Sequence, residues 1–443
     1  MSWKIQLRFL LVLCLFNLIL PDLWAQDPGL SLINASQMHT MRNIAIPFPN
    51  KNVLTIPNAS AEVYNETGFT GTWLGNNGSG SRTIGLQSIW GKMERKEYLT
   101  SIDWNVQTIA FGKKFNKFQL LIAHEIEGKS DLLYNKDLIG ILAYGNYGYL
   151  QQEPLAKTQA LDIKPAADIS VYQSIGLQAA YFLNDHHSIG FGIKYIGGWF
   201  NLNTDFTKLD VDLRDPLTIK SNEDWTLRSA NLVDHLAVDS LKLNADQAGW
   251  GKHPGVGFNA GFSFHTDNLQ IGIQTRDVGM IQWKGSQYSR KGSTEYSGIR
   301  INDLLNIDKG IFDHITDTLK SVFDIKESPT TYNTRLQAKI IVDGQYKLSD
   351  HWNIGGSFFY SQGSIRDYWR WMAGVVFSPA DFILIGAHVS MDKNQQVDLG
   401  LLTSLKISIV HIYFGIQPIQ SLINENTFDH VSGTIGLSLQ WGK

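Results

Sequence analysis

Serine, histidine and aspartate all occur in this 443-residue chain, so the first chemistry to look for is hydrolysis by a hydroxyl that a neighbouring imidazole activates. No Gly-x-Ser-x-Gly elbow occurs. His124, His265 and His388 stand in strand-like segments and read as lumen or interface residues rather than catalytic bases. His186 and His187 beside Asp185 are metal-ligating types, yet neighbouring side chains on an extended segment point apart, so the stretch reads as a polar turn. "DKNQQVD" at 392–398 offers oxygens for a hard cation but lacks the central glycine and closing bidentate glutamate of a calcium loop. The expectation is a protein that is not an enzyme, with no catalytic residue, cofactor or metal. Lys194, Asn259, Arg276, Gln337, Lys339 and Asp343 remain as polar residues within strand-like segments. Such residues line a wet interior and offer hydrogen bonds to a passing molecule.

The elements that would position them are hairpins. In "PGVGFNAGFSFHTDNLQIGIQTR" at 254–276, Val256, Phe258, Ala260, Phe262 and Phe264 share one face, a turn follows at 266–268, and Leu269, Ile271 and Ile273 resume it. The other face carries glycines, Asn259, Ser263, Gln270, Gln274 and Arg276, small or polar groups that suit the inside of a barrel. The same alternation flanks turns near 113–117, 184–186, 348–350, 378–381 and 406, which makes six with the first. Long connections at 128–170, 201–253 and 284–333 separate them. Short turns alternating with long loops is the arrangement of an outer-membrane barrel. With both ends on the turn side, six turns imply 2 × (6 + 1) = 14 strands, about 9–11 residues each across the bilayer. The expected fold is an all-β transmembrane antiparallel β-barrel of about 14 strands, within 12 to 16, running from residue 82 to 443. Its first strand falls near Arg82–Gly91 and its last at Gly433–Trp441, where Ile435, Leu437, Leu439 and Trp441 share a face.

Residues 1–25 read as a signal peptide: Lys4 and Arg8 precede an apolar run from Phe9 to Leu20, with cleavage after Ala25. Cys14, the one cysteine, lies in that run, so an exported chain of 443 − 25 = 418 residues has neither disulfides nor thiol chemistry. The 38 basic and 41 acidic residues nearly balance, which argues against a nucleic-acid partner. After Ala25 no run of about 18 apolar residues could cross a bilayer as a helix.

Residues 26–81, with "IPFPN" at 46–50 and "GNNGSGS" at 75–81, precede the expected strands and read as a hatch folded into the lumen or a periplasmic segment. Leu304, Ile311, Ile315, Leu319 and Val322 mark an amphipathic helix within 301–326, and Leu232, Leu236, Val238 and Leu241 hint at another over 231–243. The long loops therefore carry helical insertions.

"TRDVGMIQWKG" at 275–285 with the helical insert after it, "AYGNYG" at 143–148 and the closing "GLSLQWG" resemble a family of Bacteroidota outer-membrane proteins of unknown function. That family is distantly similar to the long-chain fatty-acid transporters. The resemblance runs from about residue 80 onward, and the chain departs from it in carrying "IPFPN" where the family has an Asn-Pro-Ala-like element. It implies a 14-stranded barrel in the outer membrane of a Gram-negative cell, in contact with outer-membrane lipid. Two functions stay open: a passive transporter or channel for small hydrophobic molecules, and a structural or assembly component of a surface or secretion complex.

Overall fold

Alternating side chains only bury usefully if the sheet has an inside, and here the sheet closes on itself. The computed structural model describes residues 43–69, 74–76, 82–153, 156, 158–215, 218–231, 249–296, 325–419 and 428–442. The wall consists of β1 (Asn52–Phe69), β2 (Glu97–Lys114), β3 (Phe118–Asn135), β4 (Ala166–Phe182), β5 (His187–Asp212), β6 (Pro254–His265) and β7 (Leu269–Tyr296). It continues through β8 (Lys339–Lys347), β9 (Trp352–Ser361), β10 (Tyr368–Ala380), β11 (Ile383–Asp392), β12 (Val397–Ile407), β13 (Val410–Gln417) and β14 (Phe428–Trp441). Each pairs antiparallel with its neighbours, and β1 pairs with both β14 and β2, so the 14-stranded barrel has no open edge along its wall. The six short turns lie where the sequence places them.

The outward face is a belt of apolar side chains. Ile109, Phe111, Ile122, Leu177, Phe191, Ile193, Phe258, Ile385 and Ile435 are all exposed, Phe191 at 64%. An apolar surface that encircles the molecule is the mark of a barrel that spans a membrane. Aromatic pairs mark its short-turn end, with Phe115 and Phe118 stacked at 4.4 Å and Trp352 and Phe377 at 4.5 Å between ring centroids.

Wall height is uneven. Strands β5 and β7, 26 and 28 residues long, rise beyond the others at the long-loop end. There Ile219–Ala230 fills the place between them that β6 occupies lower down. The descending strand is thus built in two pieces, one ending at Ala230 and the other beginning at Pro254. Lys326–Arg335 likewise extends β8 along β7, with the chain kinking at residues 336–338.

Two expectations are corrected. The strand that closes the barrel against β14 is Asn52–Phe69, not Arg82–Gly91, so the wall begins inside the segment assigned to the hatch. Leu86, Ile89, Trp90 and Met93 are spaced by three and four, and Leu86–Lys92 is a helix, α1, whose Ile89 packs with Met93 and Tyr98. A second helical segment, α2 (Lys136–Gln152), broken by a kink at Gly145 (φ 67°), caps the long-loop end beside it, with Asn135 accepting from the Leu138 amide at its start. Residues 1–25, nearly all of the helix expected at 301–326, and residues 232–243 of the second expected helix lie outside the described residues.

Candidate functional site: the barrel interior

The inward positions of each strand carry small and polar groups, and an inserted segment and paired charges occupy much of the space between them. At the short-turn end residues 43–50 run inside the barrel. Ile44, Ala45, Ile46 and Phe48 are all buried. Gln119 on β3 holds this segment at two points, its Nε2 donating to the Ile46 carbonyl at 2.8 Å and its Oε1 accepting from the Phe48 amide at 2.8 Å. Ser188 Oγ on β5 donates to the Ala45 carbonyl at 2.6 Å. Gly190 and Gly261 make the approach possible, because a Cβ at either would collide with Asn43 or Ile44.

Above the segment the interior is ionic. Lys194 on β5 is 2.9 Å from Glu125, 3.1 Å from Glu127 and 2.9 Å from Asp277, reaching past β4 on one side and β6 on the other. Tyr172 donates to Glu127 at 3.2 Å and Gln107 to Glu125 at 3.3 Å. Across the lumen Lys339 on β8 meets Asp103 on β2 at 3.3 Å. Arg370 on β10 meets Glu62 on β1 at 3.1 Å, and His430 bridges Glu62 at 2.8 Å and Asp398 at 3.3 Å. Higher still, Arg366 grips both oxygens of Glu66 at 2.8 and 3.0 Å. These contacts tie opposite walls together, so paired charges bridge the interior. One cavity, lined by Glu62, Asp103, Gln337 and Tyr368 among others, measures about 40 Å³, room for about three water molecules.

Beside the Lys194 cluster, toward the long-loop end, lies a packed apolar cluster. Tyr172, Ile196, Ala230, Ile281, Trp283 and Leu336 form one buried cluster. It sits at the height where the descending strand is broken. His253, just before β6, packs on Trp283 at 5.2 Å, accepts from the Lys284 amide at 3.2 Å and lies 3.0 Å from the Asn231 amide nitrogen. Gly198 lies under Trp283 and His253, while Gly197 lies under Trp250, which stacks at 5.6 Å on the exposed ring of Tyr195. At this level two glycines of β5 stand between an aromatic inside the barrel and one outside it.

Lys194, Asn259, Lys339 and Asp343 are buried within the barrel, and Arg276 precedes Asp277 beside the Lys194 cluster. Gln337 lines the small cavity at the kink. Lys194, Arg276 and Asn259 belong to one group, since Asn259 Oδ1 accepts from the Asp277 amide at 2.8 Å. Lys339 and Asp343 face other partners. The carboxylates Glu62, Glu125, Glu127 and Asp277 were not read as interior residues. The signal lay in register, because Glu125 and Glu127 alternate with His124 and Ile126 exactly as inward residues alternate with outward ones. His186 and His187 lie in the turn, where His187 contacts Asn184 at 3.0 Å and His186 the His265 carbonyl at 3.0 Å. "DKNQQVD" is an aspartate turn, with Asp392 accepting from the amides of Asn394 and Gln396. Among the described residues no three acidic, histidine or cysteine side chains converge on a metal site.

Residues 45–417 match the family described as "Family of unknown function (DUF5723)". The chain belongs to that family. The match begins at residue 45, so it takes in the segment inside the barrel, ahead of the residue 80 or so from which the motifs pointed to it. No curated protein sequence matches the chain. Among solved structures, the toluene transporter TbuX of Ralstonia pickettii is similar at 9% identity and a TM-score of 0.45, covering 95% of this chain and 99% of that one. A FadL homologue of Pseudomonas aeruginosa is similar at 10% identity and a TM-score of 0.45, covering 94% and 98%. The toluene transporter TodX of Pseudomonas putida is similar at 7% identity and a TM-score of 0.45, covering 95% and 96%.

Proposed function

We propose that this protein is a passive transporter for small hydrophobic molecules in the outer membrane of a Gram-negative cell, exported there by its signal peptide and closed in the conformation described. The observation that carries the reading is the buried apolar cluster of Trp283, Ile196 and Leu336, at the height where Ile219–Ala230 gives way to β6 between β5 and β7. An apolar solute gains from burial at about 25 cal/mol per Å², whereas an ion crossing the same interior would have to displace paired charges. In this reading residues 43–50 act as a hatch at the periplasmic end, and Lys194, Asn259, Arg276, Gln337, Lys339 and Asp343 line the path once it opens.

Uptake of toluene, the substrate named for two of the similar barrels, by cells with and without the protein tests the reading. Faster uptake that tracks expression is the expected result; equal uptake rejects it. A second reading, a component of a surface or secretion complex, is favoured by Leu142 and Tyr147 on α2, which are 61% and 63% exposed at the long-loop end. A stoichiometric protein partner after mild extraction, with unchanged toluene uptake, would select it.

A further inference from the structure

The membrane-facing surface contains one group that an apolar belt does not call for. His124 points outward from β3 between Ile122 and Ile126, while Ala123 and Glu125 point inward. Its imidazole is not isolated. Thr108, the extra residue of the bulge between Gln107 and Ile109 on β2, places its hydroxyl 2.8 Å from Nδ1, and the Gln173 side chain reaches the ring from β4. Trp250 covers the far side, its ring 6.1 Å from the imidazole and stacked on Tyr195. Gly197 stands opposite Gln173 in register, and a Cβ there would press on the Trp250 ring at 3.2 Å and touch the Gln173 amide at 3.6 Å. The missing side chain lets the Trp250 ring lie against β5, so that polar groups stand at one end of the patch and two exposed aromatic rings at the other.

Polar groups facing hydrocarbon are costly, and leucine would be the stabilising choice at position 124. Bulges re-aim side chains, and this one delivers Thr108 to the imidazole. The Gln173 amide offers two donors and an acceptor, more than one imidazole contact uses. We propose that Thr108, His124, Gln173 and Trp250 form a binding site, open to the lipid, for a small molecule with an apolar body and a single neutral hydroxyl. The hydroxyl bonds to the imidazole and amide, and the body lies on the Trp250 and Tyr195 rings. A charged headgroup is disfavoured, since Thr108, Gln173 and Trp250 are neutral and offer it no counter-charge. The site extends the transport reading by naming a ligand class, and its test reads binding rather than flux, so either can fail without the other.

The test is histidine ring ¹³C NMR of the full barrel in lipid nanodiscs, with the His124 signal assigned by its loss in His124→Leu. Titration with 1-dodecanol should move that signal saturably, while dodecane at equal membrane concentration should not. Trp250→Ala should weaken the dodecanol response about tenfold or more, and Gln173→Leu should remove its preference over dodecane. His124→Leu should unfold at the same or higher urea concentration than the parent. A dodecanol response that is absent, or matched by dodecane, overturns the proposal, and so does a His124→Leu barrel that unfolds earlier, because the cluster is then only a staple for the bulge.

Discussion

Gln119 grips the backbone on either side of Pro47, accepting from Phe48 and donating to Ile46, both at 2.8 Å. A side chain of the wall thus satisfies two backbone groups of a segment that has no strand partner of its own. Those groups are buried, and leaving each unsatisfied costs about 1–3 kcal/mol. Gln119→Leu should therefore loosen residues 43–50 without disturbing β3, whose ladder does not use the side chain. The measurement is swelling of liposomes containing the barrel in an isosmotic small sugar. Swelling at least about tenfold faster than the parent is expected, since 1.4 kcal/mol is a factor of ten; an unchanged rate would show that another contact keeps the barrel shut.

Lys194 is the sole cation in direct contact with Glu125, Glu127 and Asp277 among the ion pairs described. Removing one partner from a buried ionic group leaves uncompensated charge, at about 3–5 kcal/mol. Lys194→Met should lower the urea midpoint of the barrel in vesicles sharply. Adding Glu127→Gln should recover part of the loss, because it removes one of the stranded carboxylates. If the single change is neutral, the cluster is not holding the wall together.

The belt makes an opposite demand. Phe191 on β5 is among the most exposed residues of the outer face, so an arginine there should cost about 2–4 kcal/mol if it meets the bilayer midplane. Phe191→Arg should fold measurably less well into vesicles, whereas Lys291→Arg, on an exposed stretch of β7 at the long-loop end, should fold like the parent. Equal yields of the two would mean that this face does not meet lipid.

Most of the barrel was legible because lipid and lumen impose a period of two on each strand. Around Phe258 and Ile273 the contrast between apolar outside and small or polar inside is strong, and the hairpin was read directly. Strand β1 hid itself for a physical reason. Its register slips between Thr55 and Asn58, at Pro57, and beyond it the outward side carries the small Ala59 and Ala61, while the inward side carries Glu62 and Glu66. The division of this strand was invisible because Ile219–Ala230 and β6 each look like a whole strand; only pairing shows that they share one place in the wall. Ion pairs such as Lys339 with Asp103 join residues on far sides of the barrel, and single-chain patterning carries no information about which inward residues face each other across it.

In α2, Tyr149 is buried and donates to Asp137 at 2.6 Å, tying the turn after the Gly145 kink back to the first turn before it. Burial, with the hydrogen bond to the Asp137 carboxylate, holds its hydroxyl well above the ordinary tyrosine range, so it stays protonated at any pH a cell meets. Tyr149→Phe removes one charge-assisted hydrogen bond, about 1.5–3 kcal/mol, and leaves Asp137 to water. Amide exchange across residues 136–152 should quicken by about tenfold or more, while exchange in β3 should stay unchanged. Uniform protection in both would mean that packing against Trp90, rather than the hydroxyl, fixes the helix.

Tyr413 on β13 lies across Gly436 on β14, its register partner, and occupies the space a side chain at 436 would need. The contact is one strand away from the seam where β14 meets β1, so strain there acts on the step that closes the barrel. Gly436→Ala should reduce folding into vesicles by about 1–3 kcal/mol through overpacking. Tyr413→Leu shortens the ring that causes the clash, so the double variant should be more stable than the sum of the single effects predicts, with a coupling of about 0.5–3 kcal/mol. Additive effects would place the cost of alanine in the backbone of β14 instead of in the Tyr413 contact.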